Sequence, residues 1–552
     1  MIVNPAPEPP ASRSWLGQHW GLLVVLAAIL FIAAVRIRLR DCPLERDEGE
    51  YAYAGQLMLQ GIPPYQLAYN MKFPGTYAAY ALIMAVFGQT PAGIHLGVMC
   101  VTSLTALMMY WLGRRMLDEP AGAAAGSSCV FLSASPSMLG LAGHATHFAG
   151  FCVAAGLCLL WPAWKDRRPW PALAAGALFG MAVLMKQHAI FIFLWAVLVL
   201  AMAGLRQPQS SLFKKWQLPA AAVLGGALVF GLMCLLLWHA GVFGKFWFWT
   251  IDYARTYVAA IPWDKAWLLF RYGFLSAIVR CRVFWLLAAA GLILLWGDGR
   301  TTGFRAALVG FCVASFLTTC PGFYFRFHYF LLMIPAISLL VGCAISCPGQ
   351  LPYLRKHPVW QNAVPGLVCA LALIGNALQN SDAWFTLSPG QLIRGMYGPE
   401  LFTELQPVAD YIRTNSTPAD RVAVLGSEPE VYFLSQRHSA TGYIYVYPLF
   451  EHHPYAATMQ QDMIRDVETN RPKFVVFMRV SRSWGMTDEN QDQYRSFLDW
   501  WNGSYQTNYF LMGMAEMDAS ATSHYFWGPD AVRESSNPQV LAALLFQRRE
   551  TP

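Results

Sequence analysis

Asp47, Glu48, Glu50 and Lys72 stand close together after the first apolar stretch, in RDEGEYAYAGQLMLQGIPPYQLAYNMKFPGTYAAYALIMAVFG (Arg46–Gly88), while the first half of the chain is otherwise short of carboxylates. A carboxylate beside a bilayer can take a proton from an incoming hydroxyl, which is general-base work and requires the ionised form. A neighbouring cation, Arg46 or Lys72, would keep its pKa low. On composition alone, a solvated pair of loop carboxylates is the simpler reading of Asp47 and Glu48. His144 and His147, three residues apart, could share one helix face and bind a metal. Two histidines at that spacing are better explained by polar packing or substrate contact, so no metal and no cofactor is expected. Glu428 and Glu430 flank Pro429 after a candidate strand, where a plain turn is a better reading than acceptor recognition.

The elements that must position these residues are set by lipid. Of 552 residues, 56% are hydrophobic and 13% are charged, where a soluble protein of this length carries about a quarter charged. Apolar runs of roughly 17 to 23 residues recur, each long enough for a ~30 Å hydrocarbon core. The expected fold class is therefore a polytopic α-helical membrane protein with about 11 transmembrane helices and a C-terminal soluble α/β domain. The first span is Trp20 to Val35, retained rather than cleaved. The others are His95 to Leu112, Ala121 to Leu141, Phe148 to Trp164, Trp170 to Met185, Ile190 to Leu205, Leu218 to His239, Val283 to Trp296, Phe304 to Thr319, Phe330 to Ile345 and Val359 to Leu378.

Orientation follows from the cations of alternate short loops: Arg114 and Arg115, Lys165, Arg167 and Arg168, Arg206, Lys214 and Lys215, Arg300 and Arg305, Arg355 and Lys356. The positive-inside rule assigns these loops and the N-terminus to the cytoplasm. Residues 36–94, the turn around His144, the turn at Lys186, residues 240–282, residues 321–329 and the tail then face outward. Two outer loops are nevertheless basic, with Arg36, Arg38, Arg40, Arg46 and Lys72 in one and Lys245, Arg255, Lys265, Arg271, Arg280 and Arg282 in the other. Positive charge on the disfavoured side suggests an anionic ligand. The second of these loops is dense in Trp, Phe and Tyr and suits the headgroup layer.

The tail reads as a connector at Leu387–Tyr397, a helix near Leu401–Arg413, a strand at Arg421–Gly426, helices at Glu430–Gln436 and Met459–Thr469, and a strand at Lys473–Met478. Short apolar runs alternating with helical segments indicate a small α/β domain. The expected division is 1–380, a transmembrane module with its catalytic first outer loop at 36–94, and 381–552, an extracytoplasmic domain. The 12 cysteines lie between Cys42 and Cys369, nearly all in apolar runs, which argues against a disulfide framework. A net charge of +7, carried mainly in short loops, is explained by topology, and no nucleic-acid partner is expected.

The pattern D-E-x-E-Y-A-Y-x-G-x(5)-G-x(2)-P-Y, followed by M-K-F-P-G-T-Y, resembles the first outer loop of the GT-C superfamily of membrane glycosyltransferases. The similar branch comprises bacterial relatives of the dolichyl-phosphate-mannose protein mannosyltransferases and of the lipid A aminoarabinose transferase. The residues that carry it are Asp47, Glu48, Glu50, Tyr51, Gly55, Gly61, Pro64, Tyr65, Lys72, Pro74, Gly75 and Tyr77. It continues more weakly through Lys186-Gln187, Phe325-Arg326-Phe327-His328-Tyr329 and GSEPEVYFLSQR at Gly426–Arg437. The chain departs from it at Lys72-Phe73-Pro74, where relatives read Lys-Pro-Pro, and at GHATHF, where many relatives carry an acid near Thr146.

The resemblance implies an inverting transfer of a sugar from a polyprenyl-phosphate donor to an acceptor hydroxyl on a glycan, lipid or protein, at the outer face of a bacterial inner membrane. Asp47 would be the general base, with Glu48 or Glu50 orienting acceptor or sugar. Arg46, Tyr65, Lys72, Lys186, Arg326, His328 and Tyr329 are the candidate substrate contacts, with Lys72, Lys186 and Arg326 facing the departing lipid phosphate. Membrane lipids are the other expected partners. A transporter or flippase of a lipid-linked or anionic solute is the alternative, and a non-catalytic assembly subunit a third.

Overall fold

The computed structural model describes residues 15–549 apart from 208, 210, 260, 352, 354, 355, 488, 489, 538 and 539. The Pro-rich stretch before Arg13 and the loop cation Arg355 lie outside the described residues. The apolar runs fold as helices that their flanking residues stop and start. Helix α1 (Trp15–Arg38) ends in two arginines, and α2 (Arg46–Leu59) begins with a reciprocal cap between Glu45 and Glu48. The segment read as the first outer loop holds α2 and also α3 (Gly75–Phe87). Thr90 caps α4 (Pro91–Met116) and Asp118 caps α5 (Glu119–Leu132), each followed by proline in the first turn.

The span expected over Ala121–Leu141 is shorter than the apolar run. Helix α5 stops at Leu132, and Ser133 to His144 form turns and one 3-10 turn at Pro136–Met138. Proline disfavours helical geometry in the residue before it, so Ser135-Pro136 ends the helix. Next come α6 (Ala145–Asp166), α7 (Pro169–Met185), α8 (Ile190–Leu205) and α9 (Leu212–His239). Gly176 lets α7 lie against the backbone of α9 at Ala222, where a methyl group would overlap the carbonyl oxygen; close packing through small residues is usual between helices in lipid.

Residues 240–282 are not a plain interfacial loop. They include α10 (Trp263–Val279), which is bent by 104° from α11 (Arg282–Leu294). Beyond α12 (Arg305–Leu317), α13 (Ile334–Ser346) is buried on every side, and α14 (Pro358–Gln379) follows. Among the described residues six helical stretches are long and apolar enough to cross a membrane: His19–Arg38, Pro91–Met116, Ala145–Asp166, Gln187–Leu205, Leu212–His239 and Phe327–Gln350. The bent pair α10 and α11 would make a seventh, and Gly75–Phe87, Pro169–Met185, Arg305–Leu317 and Ala363–Gln379 are shorter apolar helices.

Strands occur, among the described residues, only between 421 and 548. They are β1 (Arg421–Leu425), β2 (His438–Ser439), β3 (Phe474–Arg479), β4 (Tyr509–Met517), β5 (Ser523–Trp527) and β6 (Leu541–Arg548). They form one six-stranded sheet in the order β2-β1-β3-β6-β4-β5. The β2-β1-β3 part is parallel and the rest antiparallel. Central β1 and β3 are buried apolar runs, as parallel strands covered on both faces require. The expected connector at Leu387–Tyr397 is instead largely a capped helix, Pro389–Tyr397, started by Ser388 and Gln391.

Helix α2 is held between the two parts of the chain. Gly49 packs so closely on the backbone of Glu430 that a Cβ there would lie 2.6 Å from its nitrogen. Farther along α2, Tyr53 Oη donates to Ser439 Oγ at 3.0 Å and accepts from the Ser439 amide at 2.8 Å.

Candidate active site

Three of the four acidic and basic residues that open α2 turn out to be occupied by the protein itself. Arg46 donates to the Ser427 carbonyl (2.7 Å), to Glu428 Oε1 (2.7 Å) and to Glu400 Oε2 (3.0 Å). It clamps α2 to the C-terminal part rather than reaching for a ligand. Glu48 is fully buried and accepts from the Gly143 amide at 2.5 Å and stands 3.1 Å from His95 Nε2. Expected as catalytic, it instead pins the turn before α6 to the start of α2. Glu50, also fully buried, accepts from Tyr77 Oη (2.5 Å) and from Lys72 Nζ (2.6 Å). Its place is therefore behind Lys72, supporting it.

Asp47 differs. It sits in the first turn of α2 with 26% of its side chain exposed, and its Oδ1 accepts from Lys72 Nζ at 2.7 Å. Burial pushes the Asp47 carboxyl upward, but the Lys72 ammonium outweighs it and holds the group well below the usual carboxylate range. Burial raises Glu50 above its ordinary value despite the same lysine. One cation thus faces two carboxylates in different environments, Glu50 fully buried and Asp47 partly exposed. Oδ2 faces His328 Nε2 at 3.9 Å.

Tyr65 is likewise bonded within the chain. It is fully buried with a left-handed backbone (φ 66°), and its hydroxyl donates to the Lys72 carbonyl at 2.7 Å, which fixes the lysine's segment. The remaining expected residues converge on Asp47 from two other segments. Lys186, between α7 and α8, lies over the Tyr329 ring at 4.6 Å, and Arg326 lies over the Tyr324 ring at 5.5 Å. Neither cation forms an ion pair among the described residues. Burial, with Lys72 nearby, pushes the Lys186 ammonium down to about 8. His328 and Tyr329 belong to the 3-10 stretch Phe327–Met333 that leads into α13, with their rings 4.9 Å apart.

Other outer cations are taken up by backbone. Arg36 donates to the carbonyls of Ser133 (2.8 Å) and Gly140 (2.9 Å), and Arg38 to those of Trp384 and Leu387. Arg280 pairs with Asp382 at 2.5 and 2.8 Å. Lys72, Lys186 and Arg326 are the outer cations that act on Asp47.

Sequence reasoning missed Tyr445 and Tyr397. Tyr445 Oη donates to the Arg46 carbonyl at 2.8 Å and lies 3.5 Å from Asp47 Oδ1. Tyr397 Oη is 3.2 Å from His144 Nε2. The aromatic run Tyr443-Ile-Tyr-Val-Tyr447 was the available signal. His147 Nε2 donates to the Gly140 carbonyl at 3.0 Å, so it does not pair with His144. His144 instead stacks on His328, and these two with Asp47 are the group among the described residues whose side chains could hold a metal ion.

Residues 72–238 match the family model described as dolichyl-phosphate-mannose-protein mannosyltransferase. An undecaprenyl phosphate-alpha-4-amino-4-deoxy-L-arabinose arabinosyl transferase of Pseudomonas paraeruginosa is 30% identical over 166 residues, covering 29% of this chain and 28% of that protein. The same-named protein of Pseudomonas aeruginosa strain LESB58 is 33% identical over 145 residues, 25% of this chain and 26% of that one. The chain thus spans little more than a quarter of the curated relatives it matches. Among solved structures, ArnT from Cupriavidus metallidurans, bound to undecaprenyl phosphate, superposes with a TM-score of 0.60 at 15% identity, covering 96% of this chain and 98% of that one. The archaeal oligosaccharyltransferase AglB from Archaeoglobus fulgidus gives 0.50 at 14% identity over 94% and 75%. At such identity the likeness speaks for the fold. The chain is a membrane protein that shares the fold of ArnT along nearly its whole length, and its residues 72–238 are similar in sequence to the dolichyl-phosphate-mannose-protein mannosyltransferases.

Proposed function

We propose that this chain is an inverting glycosyltransferase that moves a sugar from a polyprenyl-phosphate donor to an acceptor hydroxyl at the outer face of the membrane. The observation that carries the reading is Asp47, a partly exposed carboxylate at the start of α2 held ionised by Lys72, with the cations Lys186 and Arg326 near enough to act on it electrostatically. The acceptor oxygen attacks the anomeric carbon as the carbon–oxygen bond to the lipid phosphate breaks. Asp47 Oδ2 takes the hydroxyl proton, and the phosphate leaves with the electron pair. Such a positioned base contributes roughly 10²–10⁴-fold. Lys186 and Arg326 receive the charge that develops on the phosphate. Tyr329 holds Lys186 in place through its ring face.

The relatives whose names include undecaprenyl phosphate, and the solved ArnT bound to it, support a polyprenyl-phosphate donor. Residues 381–552 form the extracytoplasmic domain in this reading and bring Tyr397 beside His144 and Tyr445 beside Asp47. The transport reading drew on the many outer cations, and four of those, Arg36, Arg38, Arg46 and Arg280, are bound to carbonyls or carboxylates of the chain. The test is release of lipid phosphate from a panel of polyprenyl-phosphate sugars by purified protein in lipid with a mixed acceptor extract. Turnover with one donor supports the reading; folded protein silent with every donor contradicts it.

A further inference from the structure

We propose that the end of the helix bundle away from Asp47 carries a binding site for one anionic phospholipid, with an acyl chain in an apolar groove between α4, α6, α8 and α12 and the headgroup phosphate held by Lys165 and Arg305. The groove measures about 450 Å³ counting its open side and is lined by apolar side chains alone, among them Met116, Trp161, Trp164, Trp195, Phe304 and Phe311. That volume falls in the range of small-molecule sites, roughly 300–1,000 Å³. Its walls are fixed by contacts between helices. Trp195 Nε1 donates to the Ala307 carbonyl at 3.0 Å, which ties α8 to α12, and the Trp195 and Phe311 rings lie 4.9 Å apart. Trp161 meets Phe304 with ring centroids 6.0 Å apart, which brings the last turns of α6 beside the start of α12.

Cations border the groove. Lys165 Nζ lies 5.9 Å from the centre of the Trp161 ring, and Arg305 follows Phe304 in the chain with its guanidinium over the Trp296 ring at 4.8 Å. Arg115, beside Met116, lies over the Trp111 ring at 5.4 Å. None of these three forms an ion pair among the described residues, whereas Arg114 pairs with Glu119, and Arg300 with Asp118 and Asp298. Asp166, exposed beside Lys165, subtracts from the positive field but is outnumbered.

Within a bilayer a chain gains little by moving from lipid to an apolar wall, so the groove supplies shape and the cations decide which lipid is held. From Ala145, next to His144, to Trp161 is about 24 Å along α6 at roughly 1.5 Å per residue. The groove therefore lies at the far end of α6 from Asp47. In the orientation read from the short loops that end is the cytoplasmic leaflet, whose anionic lipids attract cations near the surface. A polyprenyl tail hanging from a phosphate at Asp47 would bring no charge to this depth, so the basic border fits a lipid whose own phosphate lies there. The site is independent of the proposed transfer reaction.

The experiment uses full-length protein, delipidated in a neutral detergent and titrated with phosphatidylglycerol, with phosphatidylcholine of the same acyl chains, and with undecaprenyl phosphate. Native mass spectrometry counts bound lipid for wild type, for Lys165→Gln/Arg305→Gln and for Ala307→Trp, which fills the groove. The expected result is one phosphatidylglycerol per chain, bound more tightly than phosphatidylcholine. Its affinity should fall roughly 25-fold in the double variant, at about fivefold per cation, and it should be lost in Ala307→Trp. Equal binding of the two phospholipids by wild type, or phosphatidylglycerol affinity unchanged in the double variant, would reveal only an unspecific lipid coat and overturn the proposal. Loss of undecaprenyl phosphate from Ala307→Trp with phosphatidylglycerol retained would assign the groove to a polyprenyl tail and overturn it as well. If Ala307→Trp does not fold, the double variant, altered only at the bordering cations, decides. Lipid-phosphate release by a wild type without phosphatidylglycerol selectivity would sink this site alone and leave the transferase reading intact.

Discussion

Replacing Lys72 by methionine keeps the length and apolar stem of the side chain but deletes the ammonium that bonds Asp47 at 2.7 Å and Glu50 at 2.6 Å. Removing one partner of a buried ion pair costs about 3–5 kcal/mol, because a charge is left uncompensated. Glu50 moderates that figure here. Its carboxyl already lies above the usual range, so it takes up a proton instead of staying charged, and it keeps its bond to Tyr77. The larger consequence falls on Asp47. An opposite charge at this distance lowers a carboxylate pKa by about 1–3 units, and without it burial acts alone in the upward direction. In wild type the depressed pKa keeps the base ionised at neutral pH, and activity fails only as pH falls through that low value. In Lys72→Met the base gains its proton at higher pH, and each unit is tenfold in the ionised fraction. The assay is kcat/KM for lipid-phosphate release from about pH 5 to 8, a range chosen to span the ordinary and raised carboxylate values. Wild type should be level on the acid side. The variant should fall about tenfold per unit below its new midpoint and recover partly as pH rises. An acid limb that coincides with wild type at undiminished rate would refute the electrostatic link between Lys72 and the base.

Three further outcomes follow from the geometry. Gly49→Ala places a methyl group 2.6 Å from the backbone nitrogen of Glu430, so α2 and its neighbour must separate; a loss of about 1–3 kcal/mol in stability, read as a lower unfolding midpoint in lipid, is expected together with reduced turnover. Lys186 loses its proton near pH 8, so donor binding that depends on its charge is present below that pH and lost above it; Lys186→Arg should remove the alkaline limb of kcat/KM because guanidinium stays charged. Arg46→Gln leaves Glu400 and Glu428 without their cation, and faster proteolysis of residues 381–552 with unchanged donor affinity is expected, whereas lost donor affinity in a stable protein would restore Arg46 to the substrate contacts.

The pairing of Asp47 with Lys72 was legible because charge is expensive beside lipid and stands out against so apolar a chain. Their neighbours were harder to read for a reason of distance. Glu48 and Arg46 have the same composition and exposure signals as Asp47, and only partners far away in sequence, Gly143 for one and Ser427, Glu400 and Glu428 for the other, make them structural. Likewise His144 stacks on His328, a partner far away in sequence that the local spacing of His144 and His147 could not show. Helices over long apolar runs were read well in kind but not at their ends: Ser135-Pro136 cuts α5 short, and an aromatic-rich segment taken for an interfacial loop contains α10. In the tail, β1 and β3 were visible as uninterrupted apolar runs. Strands β4 to β6 were not, because their burial alternates irregularly and β4 carries a bulge between Leu511 and Gly513.

The central claim is that Asp47 is the base of the transfer reaction, and Asp47→Asn tests it with least disturbance, since the amide keeps the size of the side chain and an oxygen for Lys72. Purified wild type and variant are compared for lipid-phosphate release at saturating donor, with donor binding measured on the same preparations. The account predicts turnover lower by about 10²–10⁴-fold with binding retained. Turnover equal to wild type would contradict it.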